Sequence, residues 1–180
     1  MAITRITSPA ITSVASTAIS GTLPAANINN TSIGNVTALP AGVGGKVLQV
    51  VQGATTTETS SSSATFADTS LTANITPSST SNKILILVEH SRCFKQEGTQ
   101  IGLKLFRDSS EIYTLRYMQD TNDTTRQINS ISFNFLENAP STSQLTYKTQ
   151  FNNEQATGAI LVQQSNARST ITLMEIAGWF

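Results

Sequence analysis

The chain has 180 residues, a formal net charge of zero and only 12% charged residues. A neutral chain lacks the basic surface that phosphate backbones and anionic membranes attract, which argues against nucleic acid and anionic membrane surfaces as its main partners. No apolar run reaches the roughly 18 residues of a membrane-spanning helix, and the single cysteine, Cys93, excludes an internal disulfide.

The first 45 residues contain one charged side chain, Arg5, and no aromatic residue. Their apolar residues stand alone among Thr, Ser, Ala and Asn, at irregular spacing and interrupted by proline and glycine, which is typical of neither a regular strand nor a helix. We expect an extended arm that docks on a partner or winds with identical chains; a disordered tail is the alternative. The residues predicted to anchor this arm are Ile3, Ile6, Ile11, Leu23 and Ile28.

The glycine-rich stretch 41–45 predicts a hinge, so residues 1–45 form the arm and hinge and residues 46–180 form a folded head. Within the head, the continuous apolar run 84–88 predicts a strand that is buried on both faces. The Thr- and Ser-rich run 53–64 predicts an exposed loop. The predicted strands are 46–51, 66–75, 82–88, 101–105, 111–113, 128–136, 145–151, 159–163 and 170–176.

No segment of the head holds a helical period over three turns. About eight to ten short strands joined by polar turns are typical of a β-sandwich or jelly roll. The sequence therefore predicts an all-β fold, a jelly-roll-like β-sandwich head preceded by an extended N-terminal arm.

Four stretches of the head carry a family resemblance: 45–51 (GKVLQVV), 75–88 (ITPSSTSNKILILV), 105–108 (LFRD) and 169–177 (STITLMEIA). In this order they resemble virion proteins of tailed bacteriophages, whose head is similar to the trimeric jelly roll of complement and tumour-necrosis-factor proteins. The stretch 21–28 (GTLPAANI) resembles attachment or shaft segments of phage fibres. The resemblance implies a homotrimer on the surface of a phage particle and brings no catalytic residues. Because no long apolar stretch follows Arg5, a secretory signal is not expected, and we expect assembly in the host cytoplasm.

The inventory of reactive side chains argues against an enzyme. His90 is the only histidine, so a Ser-His-Asp triad would have to use it, and no Gly-x-Ser-x-Gly motif is present. His90 and Cys93 have a spacing that could suit a metal, but a structural zinc site needs four ligands. The acidic residues are scattered, so a glycan-cleaving carboxylate pair is only a distant alternative. We expect no catalytic residue, no cofactor and no bound metal.

Two sets of residues are predicted to mediate contacts. The predicted trimer interface comprises Phe106, Tyr147, Phe151, Met174, Trp179 and Phe180. The predicted receptor contact comprises Tyr113, Arg116, Tyr117 and Asp120, with packing in the core or the trimer interface as the alternative.

The leading functional hypothesis is a trimeric short fibre or knob, which is held by its arm on other virion proteins and contacts a glycan or protein of the host surface. The alternative is a capsid decoration protein that cements coat subunits.

Overall fold

The computed structural model describes residues 47–119 and 125–178. Within them lies one 3-10 turn, Gln164–Asn166, and no helix that is long and apolar enough to cross a membrane. The ten strands are β1 (Val47–Thr55), β2 (Thr59–Ser61), β3 (Ala67–Ile75), β4 (Lys83–Lys95), β5 (Ile101–Arg107), β6 (Ser110–Met118), β7 (Gln127–Asn138), β8 (Leu145–Asn153), β9 (Ile160–Val162) and β10 (Ser169–Ile176).

These strands form two antiparallel sheets. Sheet A has the order β1-β10-β4-β7, and the short strands β9 and β2 continue it beside the far end of β4; sheet B has the order β3-β8-β5-β6. Eight of the strands are long: β1, β3, β4, β5, β6, β7, β8 and β10. Numbered from one to eight in this order, they form a sheet of order 1-8-3-6 (sheet A) and a sheet of order 2-7-4-5 (sheet B). This is the double Greek key of a jelly roll, and the predicted all-β sandwich is confirmed.

The core lies between the sheets and is built from alternate residues of each long strand, because successive side chains of a strand point to opposite faces. A larger apolar cluster surrounds Ile86 and Tyr147, and a smaller one surrounds Leu103 and Phe151.

The arm and hinge predicted at 1–45 lie outside the described residues and stay a prediction.

Two local predictions are wrong. The apolar run in β4 is not buried on both faces, since Ile84 and Ile86 are fully buried whereas Leu87 is 40% exposed. The predicted loop 53–64 contributes the last residues of β1 and all of β2. β1 continues past residue 51 because Gly53 lets the two sheets approach closely: a Cβ atom there would lie 1.9 Å from the Thr72 carbonyl oxygen.

Candidate assembly surface

The outer face of sheet A carries a continuous line of apolar side chains across its four long strands. The strand register aligns Val50 of β1 with Met174 of β10, Met174 with Leu85 of β4, and Leu85 with Leu136 of β7. Val50 and Leu136 are 56% and 49% exposed, although both are large and apolar. We call these four residues the apolar row.

The residues around the apolar row add apolar area and little charge. Leu48 is 49% exposed at one side of the row, and Leu87 is exposed at the other. Over the stretch of β4 that pairs with β10, the outward charged side chains are Lys83 and Glu89, at opposite ends. The Lys83 Nζ donates a hydrogen bond to Asn138 Oδ1 at 2.8 Å. The middle of this face therefore lacks charge.

The outer face of sheet B is different, because ion pairs cross it. They are Lys104–Glu111 at 2.5 Å, Lys148–Asp68 at 3.0 Å and Arg116–Glu154 at 2.5 Å. The hydrogen bond from Lys104 lowers the pKa of the Glu111 carboxyl. Partly exposed pairs such as Lys104–Glu111 and Lys148–Asp68 contribute little to stability, but they keep a surface well hydrated. Sheet B thus presents a face suited to water, and sheet A one suited to contact.

A shallow recess of about 340 Å³ lies beside the apolar row on the outer face of sheet A. The recess can receive side chains of a facing chain, since hydroxyl, amide and carboxylate groups surround the apolar Leu87. The lining residues are Leu87, Val88, Glu89, Ser132, Phe133, Asn134, Thr170 and Thr172.

At the opposite end, a buried carboxylate fixes the edge of the apolar face. Glu175 accepts hydrogen bonds from Ser78 N at 2.7 Å, Asn82 Nδ2 at 2.6 Å and Gln49 Nε2 at 2.5 Å. Burial raises the pKa of Glu175, but these hydrogen bonds more than offset burial and leave the pKa below its usual value. The carboxylate thereby ties the loop before β4 to β1 and β10.

A second carboxylate joins the two sheets at the border of the core. Glu137 of β7 accepts hydrogen bonds from Arg107 Nη1 and from the Tyr147 hydroxyl, the latter at 2.7 Å. Burial and the neighbouring Glu137 raise the pKa of Tyr147. Tyr147 is therefore a core residue that holds its hydroxyl against a charged partner.

The predicted interface residues do not share one surface. Tyr147 and Phe151 have no exposed area, which corrects the prediction for both: inward positions of β8 fill the core and leave nothing for a neighbouring subunit. Phe106 lies half-buried on the outer side of sheet B, while Met174 belongs to the apolar row of sheet A. The remaining two, Trp179 and Phe180, lie outside the described residues.

The predicted receptor cluster is also divided. Tyr113 packs inside, with its ring centroid 5.5 Å and 5.6 Å from those of Phe133 and Phe135, which corrects its assignment to a surface site. Arg116 and Tyr117 come together on the surface, where the guanidinium lies 5.2 Å from the centre of the Tyr117 ring. Asp120 lies outside the described residues.

Most of the apolar row was missed because each member sits beside other apolar residues in the sequence. Val50 adjoins Val51, Leu85 lies between two isoleucines, and Leu136 follows Phe135. In each case the neighbour points into the core. Side chains alternate between the two faces of a strand, so once one apolar residue is assigned to the core, the residue next to it must point outward. This rule could have identified the exposed residues from the sequence.

Neither His90 nor Cys93 lies in an open site, since both are fully buried. The part of the chain that the structure describes holds no group of three His, Cys, Asp or Glu side chains able to bind a metal.

No protein-family model and no curated protein sequence matches the chain. The solved structures that are similar to it include a bacterial toxin and a viral particle protein. The insecticidal delta-endotoxin Cry8Ea1 from Bacillus thuringiensis has 12% identity and a TM-score of 0.41 over 66% of this chain, and the infectious bursal disease virus VP2 subviral particle has 14% and 0.41 over 73%. The chain covers 19% and 38% of their respective lengths. At such identities the likeness concerns the β fold alone.

The corrected position of Tyr147 can be tested by Tyr147→Phe. Removal of its hydroxyl leaves Glu137 with one donor fewer beside the core, so the free energy of unfolding should fall by about 1–3 kcal/mol in urea denaturation. The sedimentation coefficient of the folded protein should not change. Tyr117→Phe, on the surface, is the control and should stay within about 0.5 kcal/mol of wild type. Unchanged stability with altered sedimentation would restore Tyr147 to an interface.

Proposed function

We propose that this chain is a non-enzymatic structural protein of a phage particle, which assembles as a homotrimer through the outer face of sheet A. The observation that carries the proposal is the apolar row of Val50, Met174, Leu85 and Leu136. The resemblance of the head to phage virion proteins supports the location on a particle.

Exposed apolar residues in a continuous line, bordered by polar ones, are typical of protein interaction sites. Removal of such apolar area from water is the dominant favourable contribution to most protein–protein association. The whole chain has zero net charge, so identical copies do not repel one another at long range. The outer face of sheet B, with its ion pairs, is left for solvent.

A second copy of the same chain is the partner that we propose for this face. Closed symmetric assemblies are the usual form of soluble oligomers. If the symmetry axis runs along the strands of sheet A, each apolar row meets the apolar row of the next copy at the same height. Lys83 and Glu89 then stay at the two ends of the interface, outside its dry centre. The number three rests on the resemblance to trimeric jelly rolls.

Within a particle, the arm predicted at 1–45 would hold the trimer and the head would project. The exposed residues Arg116 and Tyr117 lie apart from the apolar row and would then stay accessible to a glycan or protein of the host, with the Arg116 guanidinium held by Glu154. This arrangement is that of a short fibre or knob. Capsid decoration would use the same trimer at a higher copy number.

The apolar row predicts the effect of charge at its two ends. Val50→Lys and Leu136→Lys should each place an unpaired charge in the interface and weaken the trimer by about 2–5 kcal/mol. Analytical ultracentrifugation over a range of concentrations should show a trimer for wild type and a shift towards monomer for both variants. Neither variant should unfold the head, because both side chains are exposed in the single chain.

Asn74→Lys is the matched control, because Asn74 is an exposed strand residue on the outer face of sheet B. This variant adds the same charge and should sediment like wild type. A monomeric wild-type protein, or dissociation caused equally by Asn74→Lys, would contradict the assembly that we propose.

The virion location has its own test, independent of the trimer. Deletion of residues 1–40 should leave the head folded and abolish its incorporation into particles, as measured by immunoblot of purified virions. Antibody-labelled micrographs of intact particles should show the head on the tail at low copy number for a fibre, or over the capsid for decoration. A truncated chain that is incorporated normally would remove the anchoring role of the arm.

A further inference from the structure

A layer of polar side chains crosses the core between its two apolar clusters. His90 and Ser169 belong to β4 and β10 in sheet A, Thr149 and Thr69 belong to β8 and β3 in sheet B, and Gln163 follows β9. None of the five has any exposed area. On β8 the layer separates a residue of the larger apolar cluster from one of the smaller. We call these five residues the His90 layer.

Hydrogen bonds run through the layer from one sheet to the other. His90 Nε2 lies 3.0 Å from Thr149 Oγ1, which lies 2.5 Å from Thr69 Oγ1. On its other side, His90 Nδ1 lies 2.9 Å from Gln163 Nε2, and the same amide nitrogen donates to Ser169 Oγ at 2.8 Å. An amide nitrogen can only donate, so Nδ1 accepts and the neutral ring carries its proton on Nε2.

A second proton on His90 has no suitable place in this arrangement. It would bind at Nδ1 and point at the amide hydrogens of Gln163. Rotation of the amide would turn Gln163 Oε1, which has no hydrogen-bond partner among the described residues, towards Nδ1. The amide nitrogen would then lose both of its acceptors inside the core. Either arrangement leaves buried polar groups unsatisfied, which costs stability.

No charged group is present to compensate an imidazolium among the described residues that hydrogen-bond to the layer. The titratable neighbour is Cys93, which donates to the His90 carbonyl oxygen, and burial raises the pKa of this thiol to about 12. Glu89 lies on the opposite side of the sheet, and Arg92 donates to the Gln164 carbonyl oxygen. Burial alone lowers the pKa of His90 to about 4.

We propose that the His90 layer is an acid-sensitive lock between the two sheets. When Nδ1 takes up a proton from solvent, that proton points at the amide hydrogens of Gln163, and the repulsion loosens the contacts of β4 with β8 and β10. The pKa of His90 is lower in the folded chain than in the unfolded chain. The stabilisation from the neutral ring is therefore complete above about pH 6.5 and is lost as the pH falls towards 4. The lock acts within one head and does not depend on trimer formation.

Nuclear magnetic resonance of the full chain can test the lock directly, because the chain has one histidine. The imidazole signals should titrate with a midpoint near pH 4, and the side-chain amide signals of Gln163 should shift over the same range. An Asn74→His variant adds an exposed histidine as an internal reference, which should titrate near pH 6.5. A His90 midpoint near 6.5 in the folded chain would overturn the proposal.

The linkage to stability is measured between pH 6.5 and 5, where a free imidazole titrates and most carboxylates, with ordinary pKa values near 4, stay ionised. The folding equilibrium constant of wild type, from urea denaturation, should fall about fifteenfold over this range. In His90→Gln it should stay nearly constant. An equal fall in His90→Gln would contradict the lock, and if that variant does not fold, the wild-type titration alone decides.

Discussion

The alternation of side chains along β4, together with its register, determines both the core and the outer face of sheet A. Because β4 buries Ile84 and Ile86, it must present Leu85 and Leu87 on the other side. Its pairing with β10 on one side and β7 on the other brings Leu85 into line with Met174 and Leu136. The core cannot form in this register without producing the apolar row.

The two outer faces of the sandwich differ in polarity. Sheet B covers its outer side with ion pairs, whereas sheet A leaves apolar side chains across four strands. The head has a filled core, and one of its two outer faces exposes large apolar side chains. In the function that we propose, identical heads bury this apolar face against one another, and the arm determines where on the particle the trimer is held. The His90 layer joins the sheets behind it, on the inner side of the same strands.

Much of the fold could be predicted from the sequence, because strands such as β7 and β8 alternate between apolar and polar residues. Where both faces of a strand are apolar, as at 84–88, the alternation disappears from the sequence and burial on both sides is the natural interpretation. The apolar row was harder to predict, because strand pairing places side by side residues that lie more than a hundred positions apart in the sequence, such as Val50 and Met174. Tyr147 and Phe151 were expected at an interface because the volume of the core cannot be judged before the sheets are paired.

Assembly through sheet A is measured most directly as the distance between spin labels on neighbouring copies, by double electron–electron resonance. A label on Thr172→Cys reports the outer face of sheet A, and one on Asn74→Cys reports sheet B; the native Cys93 is buried and stays unlabelled. Because packed sheets lie about 10 Å apart, assembly through sheet A should give one short distance, on the order of 20 Å, at position 172 and a longer one at 74. No coupling at 172, or a shorter distance at 74, would contradict assembly through sheet A.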